Sequence, residues 1–163
     1  KNMKKLGWIV LTVILMSCNS KAQYKKKSKT FPVSKTDSEW KAELDQMEYY
    51  VLRKAGTEQA FSSELNKNYK KGTYVCAACG TALFSSDYKY DSGSGWPSFD
   101  REIKGAVEFS KDYDIGYVRS EEHCANCGGH LGHVFDDGPK STGKRHCING
   151  AALDFIPLKT KNE

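Results

Sequence analysis

Six cysteines carry most of the reactive chemistry in this chain, and their spacing sorts them into three kinds. Cys76 and Cys79 form one Cys-x-x-Cys pair and Cys124 and Cys127 a second; Cys18 closes an apolar N-terminal run, and Cys147 stands alone. Cys147 sits in Lys144-Arg145-His146-Cys147-Ile148-Asn149. A thiol beside Arg and His is a candidate nucleophile, because cationic neighbours favour the thiolate. The competing reading is a small buried residue, since free cysteine is among the most buried residue types.

The two pairs share one form, Cys76-Ala77-Ala78-Cys79-Gly80 and Cys124-Ala125-Asn126-Cys127-Gly128. Two intervening residues let a tight turn aim both sulfurs at one ion, and the trailing glycine frees the chain to turn. Two such knuckles give four sulfurs, the donor set of a closed structural zinc site that leaves the metal no open position for chemistry. A gap of 44 residues separates the knuckles, so a sheet must bring them together. Two other readings stay open: local or crossed disulfides, which an exported protein forms readily, and a redox Cys-x-x-Cys.

Three further segments hold unusual chemistry: the glycine-rich Asp91-Ser92-Gly93-Ser94-Gly95-Trp96-Pro97-Ser98-Phe99, then Gly128-Gly129-His130-Leu131-Gly132-His133, then Arg145-His146-Cys147-Ile148-Asn149. On an extended strand Arg145, Cys147 and Asn149 share one face, which sets a cation, a thiol and an amide side by side.

The elements that must position these groups are short. Thr36-Asp37-Ser38-Glu39 is a capping-box pattern, followed at helical spacing by Trp40, Leu44 and Met47; a second helix is expected from about Met47 to Lys54, with Gly56 as its C′ residue. Trp40 and Tyr50 are expected as core anchors. After Gly72 the pattern changes to brief β-prone runs at 73–75, 106–109, 115–118, 133–135 and 153–156, separated by Gly, Asp, Ser and Pro clusters. No helices alternate with these strands. The fold class expected is mostly β, an antiparallel β-sheet domain with zinc knuckles and short N-terminal helices.

The net charge of +5 is unevenly distributed. Residues 1–36 hold nine lysines and no acids, leaving 16 Lys and Arg against 20 Asp and Glu in the remainder. A nucleic-acid role would place basic residues on the folded domain, so that class is excluded. Met3-Lys4-Lys5, the apolar run from Leu6 to Met16 and Ser17-Cys18 have the parts of a secretory signal. Eleven residues at about 1.5 Å each fall short of a ~30 Å hydrocarbon core. Leu15-Met16-Ser17-Cys18 also resembles a bacterial lipoprotein cleavage box, with Cys18 as the lipid-bearing residue. The expected organisation is a signal at 1–18, a basic linker at 19–36, one domain at 37–159 and a tail at 160–163, exported and lipid-anchored on the periplasmic side of a bacterial envelope. A monomer is expected, since no sequence feature points to an oligomer.

The Gly-x-Gly-Trp-Pro-Ser-Phe loop, the His130-x-x-His133 segment, the Arg145-His146-Cys147-Ile148-Asn149 strand and the four knuckle cysteines together resemble the B-type methionine sulfoxide reductases. The likeness runs from about Ser38 to Leu158, and it includes a helical stretch from Met47 to Glu58 and Leu83-Phe84-Ser85-Ser86. It implies structural zinc and reduction of the R epimer of methionine sulfoxide in oxidised proteins. By position Cys147 would attack the sulfoxide sulfur, and His130 and His133 would protonate its oxygen. Asn149 would orient a histidine or a water, Arg145 would stabilise the thiolate, and Trp96 would wall the substrate methyl group.

Many members of that family carry a resolving cysteine before Trp-Pro, where this chain has Ser94. With four cysteines in the knuckles and Cys18 on the distant terminus, the sulfenic acid of Cys147 is expected to be reduced by an external thiol, either a thioredoxin-like protein or a small molecule. The alternative is an internal disulfide to a knuckle cysteine. A zinc-knuckle binding module without catalysis and a thiol peroxidase or redox sensor also remain open. Grouping Cys147 with Arg145, His130 and Asn149 serves the catalytic readings and not the binding module.

Overall fold

The computed structural model describes residues 30–113 and 115–159; the signal-like segment with Cys18, residues 19–29 of the linker and the tail lie outside the described residues. Of the expected linker, the last residues are docked. Val33 N–H donates to the Asn126 carbonyl at 2.9 Å, and the Phe31 ring lies against Gly128, so specific contacts with the second knuckle begin at Phe31.

Thr36 caps α1 (Asp37–Glu43) in a full capping box with Glu39. A second box, Asp45 with Glu48, sets the start of α2 (Gln46–Lys54) one residue ahead of the expected Met47. Each cap contributes about 1 kcal/mol to helices too short to persist alone. The helix stops at Lys54 and does not reach Glu58, because Ala55 turns the chain with φ +53°. That left-handed role was expected of Gly56. Gly56 instead makes room for the Tyr50 ring, which an added Cβ would meet at 2.3 Å. Trp40 is buried as expected, whereas Tyr50 is 48% exposed and only covers Gly56.

Among the described residues nine short strands follow: β1 (Gly72–Cys76), β2 (Ala82–Ser85), β3 (Lys89–Tyr90), β4 (Ser98–Phe99), β5 (Val107–Asp112), β6 (Arg119–Cys124), β7 (His130–Phe135), β8 (Arg145–Ile148) and β9 (Leu153–Pro157). They build two antiparallel sheets in the orders β2-β1-β9 and β3-β4-β8-β7-β6-β5. The expected strand at 115–118 is instead the exposed turn between β5 and β6, where Gly116 at φ +86° interrupts the extended backbone. Pairing on that side begins only at Arg119.

An aromatic seam joins the sheets. Phe84 of β2 stacks on Phe99 of β4 at 4.4 Å, Tyr74 of β1 meets the same ring edge-on at 5.0 Å, and Phe84 reaches His146 of β8 at 5.8 Å. Such pairs add about 0.5–1.5 kcal/mol each beyond their burial. Val51 and Leu52 of α2 and Trp40 of α1 complete the core with Leu131 and Ile148.

Register then aligns the chemistry. Tyr90, Ser98, Cys147, His133, Glu121 and Ser110 are direct cross-strand partners in one row across the six-stranded sheet. Directly paired residues project to the same face, so a thiol, an imidazole and a carboxylate line up there. The adjacent row, Phe99, His146 and Val134, projects to the opposite face.

Candidate active site and metal centre

Both knuckles close with the same turn. Gly80 N–H donates to the Cys76 carbonyl at 2.7 Å and Gly128 N–H to the Cys124 carbonyl at 2.8 Å, with both glycines left-handed at φ +71° and +69°. β1 delivers the first turn and β6 the second, and the Asn126 side-chain amide donates across to Thr81 Oγ1 at 2.9 Å. The four sulfurs lie within 4.8 Å of one another, with Cys76 to Cys127 at 3.7 Å and Cys79 to Cys124 at 3.6 Å. These separations are far beyond an S–S bond, so the disulfide reading gives way to a closed four-sulfur metal site.

Cys147 is half-buried on β8 between Ser98 of β4 and His133 of β7. The strands approach closely beside it: a Cβ on Gly132 would meet the Cys147 carbonyl oxygen at 2.0 Å. Ser94 Oγ lies 3.7 Å from Cys147 Sγ. Ser94 in turn shares hydrogen bonds with Ser92, which bonds Ser98, at 2.8 and 2.7 Å.

The two basic residues beside Cys147 in sequence behave differently in space. His146 faces away, with Nδ1 2.5 Å from Glu122 Oε1 and Nε2 3.4 Å from Glu102 Oε2. Burial pushes the Glu122 carboxyl up, against the pull of His146. Arg145 shares the thiol's face but spends its guanidinium on Asp137, with bonds of 2.8 and 2.9 Å, and lies over the Phe135 ring. Burial therefore prevails: it pushes the Cys147 thiol up, while Ser94 and Arg145 pull it down less strongly. The sequence expectation of a resting thiolate is reversed, because neighbouring charge was legible and desolvation was not.

The two histidines are separated in role by depth. His133 lines the cavity at Cys147, and its Nε2 lies 2.8 Å from Asp112 Oδ2, a carboxylate also bonded by Arg119. Burial lowers the His133 imidazole below its ordinary range, partly opposed by Asp112. His130 stands behind it, with ring centroids 5.5 Å apart. Its Nδ1 lies 2.7 Å from Glu121, while its Nε2 is buried with no partner among the described residues. That bond with His130 holds the Glu121 carboxyl down at about 2 despite its burial.

Asn149 lies just past the end of β8, and both ends of its amide bond backbone groups. Its Oδ1 accepts from the Glu58 N–H at 3.0 Å and its Nδ2 donates to the Leu131 carbonyl at 3.0 Å. Trp96 forms the opposite wall, and its indole N–H donates to the Glu58 carbonyl at 3.2 Å. The cavity enclosed by Cys147, Trp96, His133, Asn149, Arg119 and Phe135 measures about 120 Å³. A larger and more open hollow of about 530 Å³ beside Ser63 and Asp154 contains neither thiol nor imidazole, so the chemistry belongs to the smaller one.

Of the residues singled out in the sequence, the structure brings Cys147, Trp96, His133 and Asn149 to one cavity, with His130 behind His133 and Arg145 turned to Asp137. The sequence did not reveal Glu58, Asp112, Arg119, Glu121, Asp137 or the serines around Ser94. Asp112, Arg119 and Glu121 become neighbours of the histidines only through the β5–β6–β7 register, which no local motif encodes.

Comparison with known proteins agrees with this arrangement. The SelR domain family matches residues 44–157. The chain is 58% identical over 126 residues to a peptide methionine sulfoxide reductase MsrB from Leptospira interrogans, covering 77% of this chain and 96% of that protein. It is 50% identical to one from Bradyrhizobium diazoefficiens, over 77% of this chain and 91% of that protein. It is 51% identical to one from Acinetobacter baumannii, over 80% and 93%. A cysteine, a histidine and a tryptophan converge on one cavity, four further cysteines cluster as metal ligands, and the chain belongs to the SelR-domain, MsrB-type family.

Proposed function

We propose that this protein reduces methionine sulfoxide in oxidised proteins, acting on the R epimer, with Cys147 as nucleophile. The observation that carries the reading is the pairing of Cys147 with His133 across β8 and β7 at a small cavity walled by Trp96. A cavity of about 120 Å³ has room for a methylsulfinyl end. The indole face suits the methyl, and the imidazole suits the oxygen.

The thiol sulfur attacks the sulfoxide sulfur as its oxygen takes a proton, for which His133 is the positioned donor. The substrate S–O bond and the transient S–S bond then break as the oxygen passes to Cys147 as a sulfenic acid, and the thiol's own proton restores His133, so the substrate sulfur gains two electrons and the cysteine sulfur loses two. An external thiol then attacks the sulfenic sulfur and releases water. A second thiol displaces the resulting mixed disulfide and restores Cys147.

Zinc is the metal that fits the four sulfurs. With Zn–S of ~2.3 Å, a tetrahedral site has S–S edges of about 3.8 Å, and the edges here include 3.6 and 3.7 Å. Cys76, Cys79, Cys124 and Cys127 would hold it, joining the two sheets structurally. Export and lipid attachment at Cys18 rest on residues 3–18 alone; incorporation of labelled lipid that persists in Cys18→Ala would refute the anchor.

The deciding experiment is turnover of peptide R- and S-sulfoxides with a thiol donor. Reduction of the R epimer, lost in Cys147→Ser, supports the proposal. Undiminished reduction in that variant, or turnover of peroxide in place of sulfoxide, overturns it.

A further inference from the structure

Asn149 is the N-cap of the short 3-10 turn Gly150–Ala152, yet its side chain makes no cap hydrogen bond. Asparagine is among the preferred capping residues, so its amide ought to fold back onto the N–H groups that follow it. Those groups are already taken. Glu58, 5% exposed, receives Gly150 N–H on Oε1 at 2.6 Å and Ala151 N–H on Oε2 at 2.8 Å. A carboxylate accepting two backbone N–H groups at a turn start is a strong, charge-assisted cap.

We infer that Glu58 is the positioning residue of the active site: by capping the 150–152 turn in place of Asn149, it leaves the Asn149 amide free to line the substrate cavity. The same residue then fixes that amide directly, since its own N–H donates to Asn149 Oδ1. Its carbonyl accepts the Trp96 indole N–H, so the backbone of one residue sets both walls. The turn that carries it is braced. Phe61 N–H donates to the Gly95 carbonyl at 2.7 Å, and Phe61 holds φ +67°, a costly conformation for a bulky residue. Glu58 touches no reacting atom. Its effect passes through Asn149 and Trp96, and it rests on the reading of this cavity as the sulfoxide site.

The test is a double-mutant cycle with Glu58→Gln, Asn149→Ala and the pair together. The Gln amide keeps one acceptor and loses the other, so one N–H is released for Asn149 to cap. Each single change is expected to cut kcat/KM on a methionine sulfoxide peptide by about tenfold or more, the scale of a misplaced wall. The pair is expected to cost no more than Asn149→Ala alone, while the alkylation rate of Cys147 changes less than about twofold. Multiplicative losses, or wild-type kcat/KM in Glu58→Gln, overturn the inference.

Side-chain amide resonances of Asn149 read the geometry independently of turnover. They are expected to move in Glu58→Gln even if the protein reduces no sulfoxide, and unmoved resonances refute the positioning whatever the activity. Should Glu58→Gln fail to fold, Glu58→Asp, which keeps the charge on a shorter reach, is read against the same resonances and the same cycle.

Discussion

Ser94 Oγ stands 3.7 Å from Cys147 Sγ, so a thiol at position 94 would face the nucleophile directly. A disulfide requires Cβ atoms roughly 3.5–4.5 Å apart, which a side chain already in contact with the sulfur nearly meets. After one equivalent of sulfoxide, Ser94→Cys is expected to hold an intramolecular disulfide between positions 94 and 147. The unaltered protein is expected to hold a sulfenic acid or a mixed disulfide with added thiol. Non-reducing mass spectrometry of peptide fragments reads both. A disulfide from Cys147 to a knuckle cysteine in the unaltered protein would refute recycling by an external thiol.

Burial raises the Cys147 thiol, with Ser94 and Arg145 opposing it. Alkylation by iodoacetamide against pH is therefore expected to show a midpoint above the ~8.5 of an unperturbed cysteine. Removing either opposing group leaves desolvation less balanced, so Arg145→Ala and Ser94→Ala are each expected to move the midpoint further up. A midpoint below that of a free cysteine would mean that cationic neighbours outweigh burial, as the sequence alone had suggested.

That reversal marks where the sequence stops being legible. Capping boxes, cysteine knuckles and the Cys147 motif rest on local spacing, and they survive folding because local hydrogen bonds and turn geometry produce them. Burial and register do not. His146 adjoins Cys147 in the chain, yet strand alternation turns it to the other face against Glu122. Asp112 and Arg119 flank a run that reads as a strand, and only the turn at Gly116 makes them the partners of His133. Strands as brief as β3 and β4 carry too few residues for a period to be detected. Glu58 lies outside any helix, and nothing near it announces contact with residues some ninety positions away.

The metal site ties β1 to β6, which belong to different sheets, so its loss is expected to loosen the domain as a whole. Purified protein is expected to contain one zinc per chain. Removing it with a chelator, or changing Cys127→Ser, is expected to cost about 3 kcal/mol or more, which for a domain of this size lowers Tm by roughly 10 °C. Metal analysis and scanning calorimetry check this together. A metal-free protein with unchanged Tm would refute a structural zinc.

His133 is flanked by charges of opposite sign, and that allows a signed test of its role as proton donor. Burial already lowers its pKa, Arg119 lowers it further, and Asp112 raises it. If the imidazolium supplies the proton, kcat falls as pH rises through that pKa, at a value below the ordinary ~6.5. Asp112→Asn keeps an acceptor for Nε2 but removes the charge, so the limb is expected to shift to lower pH. Arg119→Ala removes a cation and is expected to shift it to higher pH, whatever either change does to the maximal rate. Rates followed from pH 5 to 9 under saturating substrate and donor thiol read the two displacements. Equal shifts, or a limb indifferent to both substitutions, would take the proton transfer away from His133 and direct the search to His130, whose Nε2 is buried with no partner among the described residues.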